Sequence, residues 1–523
     1  MTALDYGVIA AYFCLVVYVA ARARRHVHTS EDFFLSGRSL PLWMTSIAFM
    51  AANLGSFELM GFTANAVKYG MFTAQLYWFG SVPAMIFAGL VMVPAFYAAN
   101  VRSVPEFLRV RFDERCRALN AIAFAFLTIF TSGLSLYGLA IVFHTLFHWS
   151  LDLSILASAS TVLFYVMSGG LRASIYTEIL QFFLMIGGIV PLTYMVLRQY
   201  GGLAGLLART PENMRHVWKP VLEPGSSAWG AGFFPLIVGL GIASAAYWST
   251  DFLVIQRALA AKDIDTAKKT PLYAAFPKML FPVLTVIPGL AALIAIPSRI
   301  EGNYNMTLPL MFLEYYPAGL LGLGVTALLA SFMAGMAGNV TAFNTVWTYD
   351  IYQTYFAPNK PDSHYLWVGR AVTVIGILIS IVVAYSAQAF PNMFDYWALL
   401  SGIFVGAPFA TFVLGALTKG IGGTAAFSGM LAGIATTTGH YYLFKWGYLH
   451  YGSALAMDFT GAAYGLFANA SLTLSITWAS GGRVRFLSPP WRTAAPAAIW
   501  YRRPGGVAVV ALVMMIVLNA MFR

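Results

Sequence analysis

Ala51-Ala52-Asn53-Leu54-Gly55-Ser56 is a small and polar interruption inside an apolar run, residues 40 to 66, and Glu58 stands one turn beyond it. A helix crosses a bilayer with about 20 mostly apolar residues, so the run is long enough to span, yet its middle is suited to leaving the helix. Unwound backbone at mid-membrane depth frees carbonyls and amides, and it is tolerated only inside protein or along a cavity. A carboxyl in a span costs about 2.5–3.5 kcal/mol unless it has a task or a partner, which favours a functional break here. The competing reading is that the small residues only let helices pack closely. A second candidate break is Gly239-Leu240-Gly241, followed by Ser244, Tyr247, Trp248, Ser249, Thr250 and Asp251.

Outward from residues 40 to 66, comparable apolar stretches recur. They run roughly 5–21, 40–66, 72–99, 117–148, 151–168, 174–198, 230–256, 274–297, 316–350, 364–388, 392–417, 423–445, 452–478 and 503–521. With 59% hydrophobic and 10% charged residues over 523 positions, the chain holds more apolar surface than a soluble domain can bury. The expectation is an all-α membrane protein of about 14 transmembrane helices. The first stretch has Arg22, Arg24 and Arg25 behind it and no basic segment before it, so it reads as a retained anchor and not a cleaved leader.

The net charge of +11 follows topology and forms no block with interleaved aromatics, which argues against nucleic acid. Most of the 31 Lys and Arg residues fall in odd-numbered loops, placing the N-terminus outside. Cys14 and Cys116 lie too far apart in this topology to pair. His144 and His148 have the spacing of a metal pair but no carboxylate nearby, and interfacial packing is the simpler account.

No break in composition divides the chain, which reads as one transport domain, 1–523. The Gly- and Pro-bearing loop 199–229 resembles a connection between two halves. On that division 40–198 is a first group of five helices and 230–417 a second, with the anchor 5–21 before them and three helices, 423–521, after. Five and five forces opposite orientation in the membrane, the inverted-repeat layout of LeuT-type transporters.

A set of ordered motifs carries a resemblance. Ser30-Glu31-Asp32-Phe33-Phe34-Leu35-Ser36-Gly37-Arg38, Ala51-Ala52-Asn53 with Gly61, and Arg102-Ser103-Val104-Pro105-Glu106-Phe107-Leu108 come first. Ser168-Gly169-Gly170-Leu171-Arg172 with Thr177-Glu178-Ile179-Leu180-Gln181, then Gln256-Arg257-Ala258-Leu259-Ala260-Ala261-Lys262, and Asp350-Ile351-Tyr352 follow. In order and spacing they resemble the sodium/solute symporter family over about residues 30 to 420. The resemblance implies a solute pocket in which Lys278 contacts a sugar, with Tyr247 and Trp248 as the aromatic pair beside it. Other positions that bind sugar in bacterial members are changed to Glu58, Tyr77, Ser244 and Ala398, which tells against galactose.

The family's sodium ion takes carbonyls of the broken helix and span nine, here Ala51, Leu54 and Ser331, plus two serine hydroxyls. Those serines correspond to Ala334 and Gly335, so the hydroxyl ligands a hard cation needs are missing. Water, the Ser331 hydroxyl or Ser56 could fill the gap. A proton is the alternative coupling ion, with Glu58, Glu178 and Asp251 as candidate carriers, because low dielectric favours a neutral carboxyl. The bland alternatives are that Glu58 pairs with Lys278, Asp251 caps backbone and Glu178 faces water.

The function expected is secondary active transport of a small polar solute, sugar or sugar-like before organic acid, in a bacterial cytoplasmic membrane. Sodium is the possible ion, no other cofactor is implied, and the partners are solute and membrane lipid. A non-transporting sensor is the second reading; against it, only a basic loop and a final span follow residue 480. An enzyme would need a cluster of His, Cys or carboxylates at a membrane face, and no P-loop supports ATP-driven pumping.

Overall fold

The computed structural model of the chain describes residues 1–24, 36–166, 170–223, 229–230, 232–388, 392–487 and 500–522. Ser30 to Leu35 and Ser168-Gly169 of the motifs therefore lie outside the described residues, as do the side chains of Ser56, Gly170 and Arg172.

The principal helices are α1 (Ala3–Arg24), α2 (Leu42–Asn53), α3 (Ser56–Tyr69), α4 (residues 74–98) and α5 (Glu114–Phe147). They continue as α6 (Leu151–Val166), α7 (Gly170–Tyr200), α8 (Phe234–Thr250), α9 (Phe252–Leu259) and α10 (Ile264–Ala295). The last six are α11 (Leu320–Phe356), α12 (Asp362–Ala387), α13 (Met393–Leu417), α14 (Gly423–Lys445), α15 (Ala454–Ala479) and α16 (Pro504–Met521). Among the described residues, strand structure is confined to a two-residue pair, Thr418–Lys419 against Arg485–Phe486. Among the described residues, eight helices are long and apolar enough to cross a membrane, and nine when the bent pair α8/α9 is taken as one span. Exposed Trp367, Ile375, Leu378 and Val382 along α12 show the kind of surface a bilayer covers.

The stretch 40–66 does break. Helix α2 ends at Asn53, Leu54 turns out at ψ 41°, Gly55 is extended at ψ 179°, and α3 restarts at Ser56. Neither side of the break has a side-chain cap of its own; Leu54 N donates to Met50 O and Gly55 O accepts from Glu58 N and Leu59 N, which leaves the Leu54 carbonyl to be met from elsewhere. One partner is α11, whose Ser331 Oγ donates to the Leu54 carbonyl at 2.6 Å.

The interruption in the second candidate lies at Asp251, not at the glycine run. The chain bends by 47° there, and the Asp251 carboxylate accepts from Leu253 N at 2.9 Å, capping α9. Gly239 lies in continuous π-helical turns and Gly241 begins the α-helical part of α8. The reason for Gly239 is packing, since a Cβ there would stand 2.6 Å from the Phe459 carbonyl oxygen of α15.

The two broken helices meet by main chain at one end. Leu40 N donates to Ala260 O at 3.1 Å, and Lys262 N donates to Leu40 O at 3.1 Å. Around them, α7 packs along α11, α5 lies against both α11 and α12, α1 sits on α7 and α11, and α14 pairs with α15.

Candidate functional site

Lys278 of α10 ties the two sides of the break together. Its Nζ donates to Asn53 Oδ1 at 2.5 Å, at the end of α2, and to the carboxylate of Glu58 in the first turn of α3. Asn53 Nδ2 in turn donates to the Tyr247 hydroxyl of α8 at 2.8 Å. Glu58 and Lys278 are buried, and removing one partner of such a pair strands the other charge. The ammonium also lies 5.1 Å from the ring centres of Tyr77 and Trp248 and 5.4 Å from that of Phe281, within cation–π range.

Glu58, Ser244, Tyr247, Trp248 and Lys278 line one cavity, which holds about 540 Å³ including space open to solvent. Tyr77 sits behind Lys278, its hydroxyl 3.0 Å from Thr285 Oγ1. Sequence reasoning did not single out Asn53 as a contact residue, although it quoted the residue within the break. Trp397, which packs on Tyr247 at 5.2 Å and lines the cavity, carried no signal in the sequence. Part of the lining is apolar, with Leu240, Phe394, Ala398 and Phe459. Such a chamber offers a compact set of charged and polar groups at one side and aromatic faces elsewhere, suited to orienting a small solute.

The two remaining carboxylates are not in that chamber's polar group. Asp251 caps α9. Glu178 of α7 meets Arg257 of α9 at 2.5 Å, with Ser174 Oγ donating to the same carboxylate at 2.6 Å. Both charged side chains are 0% exposed, and Arg257 also donates to the Leu253 carbonyl at 2.7 Å. Arg257 had been quoted only as part of a motif; what assigns it a partner is the approach of α7.

The expected ion position lies where α11 crosses the break. Ser331, Ala334 and Gly335 all face it, and all are buried. The Ser331 hydroxyl hydrogen is used on the Leu54 carbonyl, Ala334 presents a methyl group, and a Cβ on Gly335 would stand 2.7 Å from Gly55 Cα. A sodium ion sheds water only for several oxygens. At Gly335 the helices touch where one of the two hydroxyls would be, and Ala334 brings no oxygen, so these two positions supply no side-chain ligand to a cation. His144 Nδ1 lies 2.7 Å from the Trp149 carbonyl oxygen, in keeping with packing at a helix end, and both cysteines are free.

Comparison with known proteins agrees with this architecture. The chain is 29% identical over 461 residues to the sodium/glucose cotransporter of Vibrio parahaemolyticus, covering 82% of this chain and 84% of that protein. It is 27% identical over 478 residues to sodium/glucose cotransporter 2 of Rattus norvegicus, covering 82% and 70%. Its fold matches that of a Na+-coupled sialic acid symporter in the substrate-bound outward-open state, with a TM-score of 0.77 at 19% identity, covering 91% of this chain and 98% of the other. The model of the sodium:solute symporter family matches residues 33–433, a family of transporters, and the chain, an integral multi-pass membrane protein and a solute symporter, belongs to it.

Proposed function

We propose that the chain carries a small polar solute through the Lys278 cavity by alternating access, with α2/α3 and α8/α9 as the moving broken helices. The observation that carries this reading is Lys278 reaching both Asn53 and Glu58 across the break. A solute that engages Lys278 or Glu58 alters the contact joining α2 to α3, which links binding to helix movement. Tyr247 and Trp397 would close over the solute, and Trp248 would pack beside it.

The named solutes of the relatives, glucose, mannose and myo-inositol, support a sugar or sugar-like solute. An organic acid is the second reading, favoured by Lys278 and by the apolar part of the lining, which leaves few partners for a ring of hydroxyls. Sodium coupling at Ala51, Leu54 and Ser331 is what the family implies, and the Gly335–Gly55 contact is what opposes it. The charge bias of the loops supports the N-terminus outside, the bacterial source of one relative supports a bacterial cytoplasmic membrane, and 40–198 and 230–417 are the proposed inverted repeats.

The test is tracer uptake by purified protein in liposomes. Lys278→Ala should lower uptake at least about tenfold with unchanged membrane insertion, the equivalent of about 1.4 kcal/mol or more. Equal uptake by the variant removes Lys278 from the site, and a wild-type protein that binds solute without accumulating it is a sensor.

A further inference from the structure

At the end of the molecule away from the Leu40–Ala261 pairing, Lys68 in the last turn of α3 reaches Asp395 in the first turn of α13 at 2.9 Å. Phe394 and Trp397, on either side of Asp395, line the solute cavity. The Lys68–Asp395 contact therefore fastens the part of α13 that covers the cavity to the mobile half of the broken helix.

Behind it stands Asp458 on α15, 4% exposed and next to cavity-lining Phe459. Its charged neighbours are Asp395 and Lys68. Oδ1 of Asp458 and Oδ1 of Asp395 are both buried without a hydrogen-bond partner. The Tyr69 ring lies 4.9 Å from Lys68 Nζ and its phenol is close enough to feel Asp395. On α14, His440 packs at Gly461, one turn from Asp458, with Nε2 2.7 Å from the Tyr451 hydroxyl.

Lys68 is bonded to Asp395 alone, and Asp458 lies within electrostatic reach of that pair without a bond to either. A buried charge lacking hydrogen bonds is strongly unfavourable, and one proton on Asp458 removes it. Other buried carboxylates have a cation or backbone donor beside them: Glu58 has Lys278, Glu178 has Arg257, Asp251 has Leu253 N, Asp5 has Gly319 N and Gly322 N, and Asp350 has Arg117 at 3.7 Å although one of its oxygens is unbonded. Asp458 has no such partner, and ionisable groups at membrane depth without structural partners are functional by default.

We propose that Asp458, with Asp395 and Lys68, is a proton-binding site whose occupancy holds α13 closed over the solute cavity. With the proton bound, Lys68 belongs to Asp395 and the lid is fastened. When the proton leaves, the Asp458 carboxylate competes for Lys68 and repels Asp395, and α13 is released from α3. The closed state binds the proton more tightly, so the ratio of closed to open rises as pH falls, by up to about tenfold per pH unit for one proton. This inference rests on the alternating-access reading, and it gives closure an ion dependence that Ala334 and Gly335 do not supply.

The experiment places a reporter thiol in the cavity, Ala398→Cys, with Cys14 and Cys116 replaced by serine. Labelling by a small polar thiol reagent is followed from about pH 6 to about pH 8. Thiol ionisation alone raises the rate with pH, so Asp458→Asn, permanently neutral, supplies that baseline, and Asp458→Glu keeps a titrating carboxyl. Labelling of the parent and of Asp458→Glu should climb several-fold more steeply than that of Asp458→Asn. Parallel profiles for all three overturn the proposal. If Asp458→Asn does not fold, Asp395→Asn serves, because without the Lys68–Asp395 bond the lid is open and labelling is high already at about pH 6; a parent-like profile there also overturns it. Labelling reports lid position whether or not any solute is moved, so loss of the transport reading is seen separately, as absence of uptake.

Discussion

The molecule has a lock at each end of its cavity, and they are built differently. At the Leu40–Ala261 end, Arg257 and Glu178 are 0% exposed, and the guanidinium also donates to the Leu253 carbonyl while Ser174 donates to the carboxylate. At the far end, Lys68 and Asp395 are 28% and 15% exposed, and the Asp395 and Asp458 carboxylates each keep an oxygen without a partner. The first pair is complete and is costly to open. The second is incomplete and only partly exposed, so a proton can change its balance. The difference teaches that equal numbers of salt bridges across a cavity do not make equal gates.

The largest effect should come from the complete lock. Arg257→Ala leaves Glu178 buried and uncompensated, at about 3–5 kcal/mol, and should remove most of the monodisperse protein or lower its thermal midpoint sharply. Replacing both Arg257 and Glu178 by leucine should recover part of that loss; a midpoint as low as that of the single variant would show that the charges serve more than each other. Between the locks, Gly335→Ser forces a side chain against Gly55 and should cost about 1–3 kcal/mol, whereas Ala334→Ser should be tolerated. Enhanced sodium binding by Gly335→Ser would mean that α11 yields and the ion position reopens. The smallest loss belongs to the incomplete lock, where Lys68→Gln should cost about 1–2 kcal/mol in a denaturation series, because the partly exposed Asp395 left behind can take a proton. If it instead matches Arg257→Ala, the contrast between the ends is wrong.

How much of this was legible depended on whether a feature is local. The break at Leu54-Gly55 was readable because small and polar residues interrupt an apolar run, and the absence of hydroxyls at Ala334-Gly335 is a matter of residue identity alone. The second candidate ran from Gly239 to Asp251 and the bend falls at its far end, while the glycines follow the packing alternative, since a glycine admits close packing as readily as unwinding and here Phe459 of α15 decides between them. Glu58, Lys278, Tyr247 and Trp248 were named one by one, but the Asn53 link joining them depends on α2, α8 and α10 meeting. The Lys68, Asp395 and Asp458 group gave no signal at all. Each of the three lies near a helix end, where a charge usually meets water, and only the packing of α13 and α15 against α3 buries them together.

The backbone pairing of Leu40 with Ala260 and Lys262 has a mechanical consequence. It couples α2 to α9 as a lever, so tilting one broken helix drags the other, and it does so through amides that every residue except proline supplies. The hydrogen bonds themselves demand no particular side chain, so what limits substitution at Leu40 and Ala260 is their packing in one buried cluster with Met44, Leu171 and Ile175. Any sequence that fills that cluster can keep the joint, and with it the motion.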